Sequence, residues 1–135
     1  MIIDSHAHIF SSLSGFGADG ELKPLDNGKA VWSNGEVIQL LPPNYDKTEF
    51  PIASLLSLMD DNNIDKAVLL QGGFLGFDNY GVYEAVKAHR DRITGAFTVD
   101  PFCRNADKIL SYLLSKDTDA FKFEVSTGCG LMGIH

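Results

Sequence analysis

The feature that most restricts how this chain folds is a set of apolar, strand-like runs at a fixed spacing. Runs beginning at Lys66 (Lys-Ala-Val-Leu-Leu-Gln), Ile93 (Ile-Thr-Gly-Ala-Phe-Thr-Val-Asp) and Ala120 (Ala-Phe-Lys-Phe-Glu-Val) lie 27 residues apart, the length of a βα unit. A helical stripe precedes each one: Ile52, Leu55, Leu56 and Met59; then Val82, Ala85, Val86 and His89; then Ala106, Ile109, Leu110 and Leu113. Pro51 suits a first helical position, Asn63 a left-handed cap after the first helix, and Asn105 the N-cap of the third. Strands alternating with helices imply a parallel sheet with right-handed crossovers, either doubly wound or part of a (β/α)8 barrel. Lys122 and Glu124 favour the barrel: they share one face of the fourth strand, where a sheet covered by helices would bury both charges. By the same parity Asp100 follows Ala96 and Thr98, and Gln71 follows Ala67 and Leu69. Each strand thus ends in a polar group expected to face the barrel mouth.

The chain opens Met-Ile-Ile-Asp-Ser-His-Ala-His-Ile-Phe. As a strand this sets Ile2, Asp4, His6 and His8 on one face and Ile3, Ser5, Ala7 and Ile9 on the other. Two imidazoles a few ångströms apart are usable ligands for a zinc-like divalent ion, with Asp4 deeper on the same face and able to orient a ring. The pair ends the first strand of a βα chain, where such folds build their sites. Read as core histidines, both would need buried hydrogen-bond partners.

From Ile2 to Lys66 the first unit is about 37 residues longer than the 27-residue beat, an insertion at about residues 11–48. Within it Lys29 to Leu40 reads as a β-hairpin closed by a type I′ turn at Asn34-Gly35, followed by the rigid exit Leu41-Pro42-Pro43. Such an insertion either walls a pocket or serves packing and subunit contact.

The 135 residues, 44% hydrophobic and 21% charged, suffice for one soluble domain with a core. A net charge of −7 opposes general affinity for nucleic acid or anionic membranes and suits a small-molecule substrate. Cys103 and Cys129 form no metal or disulfide pattern, and there is neither a signal peptide nor a run of about 20 apolar residues. These features fit a cytosolic protein.

Together Ile-Asp-Ser-His-Ala-His-Ile-Phe, the Val-Trp-Ser-Asn-Gly-Glu hairpin with Leu-Pro-Pro, Ile-Asp-Lys-Ala-Val-Leu-Leu-Gln-Gly, the strand ending Val-Asp-Pro and Phe-Lys-Phe-Glu-Val resemble the amidohydrolase superfamily. The branch they resemble is the amidohydrolase-related one of aminocarboxymuconate semialdehyde decarboxylase-like and dicarboxylate lactonase-like enzymes. The resemblance implies a (β/α)8 barrel holding one or two divalent metals, zinc foremost, with His6 and His8 as first-strand ligands. A fourth-strand ligand would be Glu124, or Lys122 after carbamylation; an internal Lys-Glu ion pair gives the same pattern. It also implies metal-assisted hydrolysis of a small carbonyl substrate, an amide or lactone, with a general-base Asp on a late strand beyond His135. Nonoxidative decarboxylation at the same site, a TatD-like nuclease and a non-catalytic metal-binding half-barrel are the alternatives. The nuclease lacks its Gly-Glu-Ile-Gly-Leu-Asp-like strand here.

A full barrel needs about 250 residues, so four strands and three helices make its N-terminal half. A truncated product or partial sequence is expected, inactive as a fragment and self-associating through unpaired sheet edges. Of the remaining candidates, Gln71, Asp100 and His135 are read as substrate contacts, though Asp100 before Pro101 equally ends a strand. His89 is read as a helix C-terminal interaction. Cys129 lies with His135 in a Gly-rich segment read as a mouth loop.

Overall fold

Each apolar run becomes a strand and each stripe a helix. The computed structural model describes residues 1–45, 47–116 and 120–124. In chain order its elements are β1 (Ile3–Ala7), β2 (Phe16–Gly17), β3 (Gly20–Pro24), β4 (Lys29–Trp32), β5 (Val37–Gln39), α1 (Ile52–Asp61), β6 (Lys66–Leu70), α2 (Asn79–Ala88), β7 (Ile93–Phe97), α3 (Ala106–Leu114) and β8 (Ala120–Phe121). β1, β6, β7 and β8 form a parallel sheet in that order, with a helix between each successive pair from β1 onward. A doubly wound sheet would reverse its strand order part-way. Unbroken sequential order is the arrangement of part of a (β/α)8 barrel.

One face of this sheet is closed by the helices. Ala7, Ile9, Ala67, Leu69, Ile93 and Phe97 pack against Leu55 and Met59 of α1, Val82 and Ala85 of α2, and Leu113 of α3. Met59, Leu69 and Val82 are essentially inaccessible, and burying each contributes about 1.5–3 kcal/mol. A Cβ on Gly95 would lie 2.6 Å from Val82 Cγ1, so glycine is what lets α2 approach the β7 backbone. The third helix departs from expectation. Only Leu113 of its stripe is buried, while Ile109 and Leu110 stay more than a third exposed; the two-residue β8 gives α3 little sheet to pack on.

Helix ends follow local chemistry with small differences. Asn63 adopts φ +54, the predicted left-handed cap. Pro51 is the N-cap itself rather than the first helical residue, and Asn105 occupies its N-cap position without a side-chain capping bond. Arg92 fastens the α1–β6 turn, donating to the Ile64 and Asp65 carbonyls at 3.0 and 3.2 Å and pairing with Asp60 at 2.8 Å. Among the described residues no helix is long and apolar enough to cross a membrane.

The insertion is larger than a hairpin. β2, β3, β4 and β5 make an antiparallel meander, of which β2, two residues long, is too short to show a period in the sequence. Leu22, Ala30 and Trp32 bury against Phe10 and Leu13, with Phe74 and Leu75 packed alongside. The meander therefore sits on the loops leaving β1 and β6. The Asn34-Gly35 turn also differs from the expected type I′. Trp32 faces Glu36 across three residues, with Gly35 N–H donating to the Trp32 carbonyl at 2.9 Å and only Gly35 at positive φ, +92. Asn34 keeps a negative φ because its carboxamide serves elsewhere, accepting from Glu36 N–H at 2.8 Å and donating to Asp19 at 3.0 Å. This is a type I turn followed by a left-handed glycine.

Two glycines test this packing. A Cβ at Gly15 would lie 1.7 Å from the Phe74 carbonyl oxygen, a backbone atom that cannot step aside, whereas at Gly35 it meets nothing within 4 Å. Gly15→Ala is expected to cost about 3 kcal/mol or more, and Gly35→Ala about 1 kcal/mol from its positive φ alone. Urea denaturation of both variants measures the difference.

Candidate functional site

The site is built where β1 leaves its ladder. Asp4 pairs with Ala67 and Ala7 with Leu69, so β1 carries one residue more than β6 over that interval. The extra residue makes a bulge. Within it the Asp4 carboxylate accepts the His6 backbone N–H at 3.0 Å, a local side-chain bond that competes with the ladder. Asp4 therefore serves the main chain, and its expected role of orienting an imidazole is corrected. Beyond the bulge, alternation resumes with Ala7 and Ile9 in the helix-facing core. His6 and His8 fall on the opposite, open face, their ring centroids 4.9 Å apart and planes at 70°.

The His8 ring is fixed by the neighbouring strand. Its Nδ1 lies 2.7 Å from the Leu70 carbonyl oxygen, which can only accept, so Nδ1 carries the hydrogen and Nε2 keeps its lone pair. Burial lowers the His8 pKa below its ordinary 6.5; the Leu70 bond opposes this, His6 and Lys122 lower it further, and Glu124 raises it. A partly buried neutral imidazole results, whose Nε2 has no hydrogen-bond partner among the described residues.

Lys122 and Glu124 lie on the open face, two residues apart on the segment continuing β8, and are ion-paired with each other with most of both side chains covered. The pairing is the structural alternative to Glu124 acting alone as a ligand. An apolar cleft of about 830 Å³ adjoins His8, walled by Phe10, Leu41, Phe50, Leu58 and Phe74.

Other candidates fall elsewhere. Gln71 is on the helix-facing side with Ala67 and Leu69, not at the mouth, and is 2% exposed. Its grouping with Ala67 and Leu69 holds, but that face is the helix-covered one. Both faces of β6 are apolar, Val68 and Leu70 on one and Ala67 and Leu69 on the other, so the sequence did not mark which side is covered. Its amide is consumed by the fold, donating to the Ile9 carbonyl at 3.2 Å and accepting from Asp78 N–H at 3.3 Å. Asp100 accepts the Phe102 N–H at 2.9 Å and shapes the turn after β7. His89 is the C-cap residue of α2. His135 and Cys129 lie outside the described residues. Sequence reasoning missed Asp78 and Asn79. Asp78 caps α2 by accepting Gly81 N–H at 3.0 Å, and Asn79 pairs like a peptide group with both the Thr98 carbonyl and N–H, at 2.7 and 2.9 Å. An Asp directly before a helical run was a readable cap signal; nothing marked the Asn79 contact.

As donors, the two imidazoles match two of the three protein positions that a catalytic zinc uses. Among the described residues no third His, Cys, Asp or Glu joins them in a metal-holding group.

No protein-family model matches the chain, and no curated protein matches it. Among solved structures it is similar to a "probable 2-pyrone-4,6-dicarboxylic acid hydrolase" from Acinetobacter baumannii with citric acid bound, at 24% identity and a TM-score of 0.49. The likeness covers 87% of this chain and 35% of that one, so this chain spans about a third of its neighbour's length. No activity or substrate follows from a likeness at this level.

Gln71→Leu strands the buried Ile9 carbonyl, while the Asp78 N–H keeps its second acceptor, the Gly76 carbonyl at 3.1 Å, so a loss of about 1–3 kcal/mol is expected in chemical denaturation. The His8 shift has a definite sign. Folded His8 binds a proton less readily than unfolded His8, so stability falls as pH drops below about 6.5 and levels off beneath the folded pKa. His8→Gln should flatten that part of the stability profile between pH 8 and 5. Asp65, whose pKa is lowered from 3.8 chiefly by the Ile2 N–H, acts in a separate, more acidic window.

Proposed function

We propose that this chain carries the first-strand metal site of an amidohydrolase-type hydrolase acting on a small carbonyl substrate, an amide or lactone. The observation carrying this reading is the His6–His8 pair, with His8 held as the Nδ1–H tautomer and its Nε2, unpartnered among the described residues, on the same open face as His6. The order of motifs along the sequence supports it. A divalent ion, zinc by the chemistry of two imidazoles, would supply a water of lowered pKa and polarisation of the substrate carbonyl.

The protein's own contribution begins with His8. Burial disfavours the imidazolium, so the ring is available as a ligand at neutral pH, and the Leu70 carbonyl fixes its orientation. Lys122 brings a positive charge to this face, held in place by Glu124. The apolar cleft beside His8 can take the uncharged body of a substrate and exclude water from it. The net charge of −7 fits a small-molecule substrate better than a nucleic acid.

Calorimetric titration with zinc tests the reading. One ion per chain is expected, with affinity reduced at least about tenfold by either His6→Ala or His8→Ala. Zinc binding unchanged in the double variant would overturn the assignment.

A further inference from the structure

Gly72 follows the buried Gln71 at the end of β6 and is itself buried. Among the described residues the glycines with positive φ are Gly20, Gly28, Gly35 and Gly76, so the backbone at Gly72 does not demand glycine. What the position lacks is room. A Cβ there would lie 3.0 Å from Lys122 Nζ, 3.4 Å from Glu124 Cβ and 3.6 Å from Glu124 Oε2.

Strand register explains how a lysine two strands away reaches this point. Leu70, Ala96 and Ala120 form one row across β6, β7 and β8. Two residues further along come Gly72, Thr98 and Lys122, and the bond from Lys122 N–H to the Phe97 carbonyl, 2.8 Å, carries the β7–β8 pairing one step beyond the strand. His8 is anchored in the first row, on Leu70. We propose that Gly72 is a positioning residue of the imidazole site: its missing side chain is the space in which the Lys122–Glu124 pair lies across the sheet towards His8. Even the methyl of alanine, 3.0 Å from Nζ, would make the ammonium give way by a few tenths of an ångström.

This inference rests on reading the His6–His8 face as the working site, but its test needs no metal, so a failure to bind zinc and a failure of this placement are read separately. The atom that a new methyl meets first is the end of a flexible chain, which can swing aside. Gly72→Ala should therefore leave the unfolding midpoint nearly unchanged while altering the site. Nuclear magnetic resonance of the metal-free full chain at pH 8 reads the effect at the ring nitrogens of His8. Gly72→Ala is expected to move them part of the way towards their positions in Lys122→Ala, and the double variant to match Lys122→Ala alone, because without the ammonium the new methyl displaces nothing. Ring signals unmoved by Gly72→Ala, or shifts that simply add in the double variant, would overturn the proposal. If Gly72→Ala fails to fold, the double variant decides: folding restored by Lys122→Ala supports the placement, and a chain still unfolded contradicts it.

Discussion

The carboxamide of Gln71 is the interaction on which the functional end of the sheet depends. Buried at 2% exposure, it joins the Ile9 carbonyl at the end of β1 to the Asp78 N–H at the start of α2. Asp78 continues the chain of bonds, capping α2 through Gly81 and accepting from Ser11 Oγ at 3.3 Å, where the insertion begins. Asn79, the first residue of α2, closes the end of β7 through Thr98. Strand ends in a parallel sheet leave peptide groups without ladder partners, and buried ones must be satisfied. Here the ends of β1 and β7 are satisfied by the side chains of Gln71 and Asn79, so the backbone that follows His8 is held in place.

That rigidity gives the imidazole pair its chemistry. His8 lies one residue before the carbonyl that Gln71 holds, and its own ring is bonded to Leu70, one residue before Gln71. The β1 bulge, bonded locally through the Asp4 carboxylate, brings His6 and His8 onto the open face while Ala7 and Ile9 stay in the core. A buried core on one side and a polar face on the other is how a barrel strand ends in a site. The meander, bound over the same end through Phe10, Leu13 and Phe74, adds an apolar wall next to His8.

Much of the fold was legible because it depends on periods. The 27-residue beat and the stripes through Leu55 and Met59 and through Val82 and Ala85 fixed the helices and the parallel sheet. Parity also grouped His6 with His8, and Lys122 with Glu124. It failed where one residue's hydrogen bonding competes with alternation: at Asp4, which bonds the backbone within the bulge, and at Asn34, which holds its φ negative. At Gln71 the grouping with Ala67 and Leu69 held but the side did not, because both faces of this parallel strand are apolar and only the packed structure tells which one the helices cover. The pairing of β2 and β3 onto the hairpin of β4 and β5, like the Asn79 contact, is tertiary and left no trace in the sequence. Gly72 was invisible for a related reason, since its meaning lies in a side chain 50 residues away.

The central claim is that the fold presents His8 with Nδ1 protonated and Nε2 unprotonated at the open end of β1. Long-range proton–nitrogen correlation spectra of the metal-free protein above pH 7.5 measure this directly. The account predicts a protonated, pyrrole-type Nδ1 and a bare, pyridine-type Nε2 for His8. A spectrum with the hydrogen on Nε2, or a ring exchanging freely between the two forms, would contradict it.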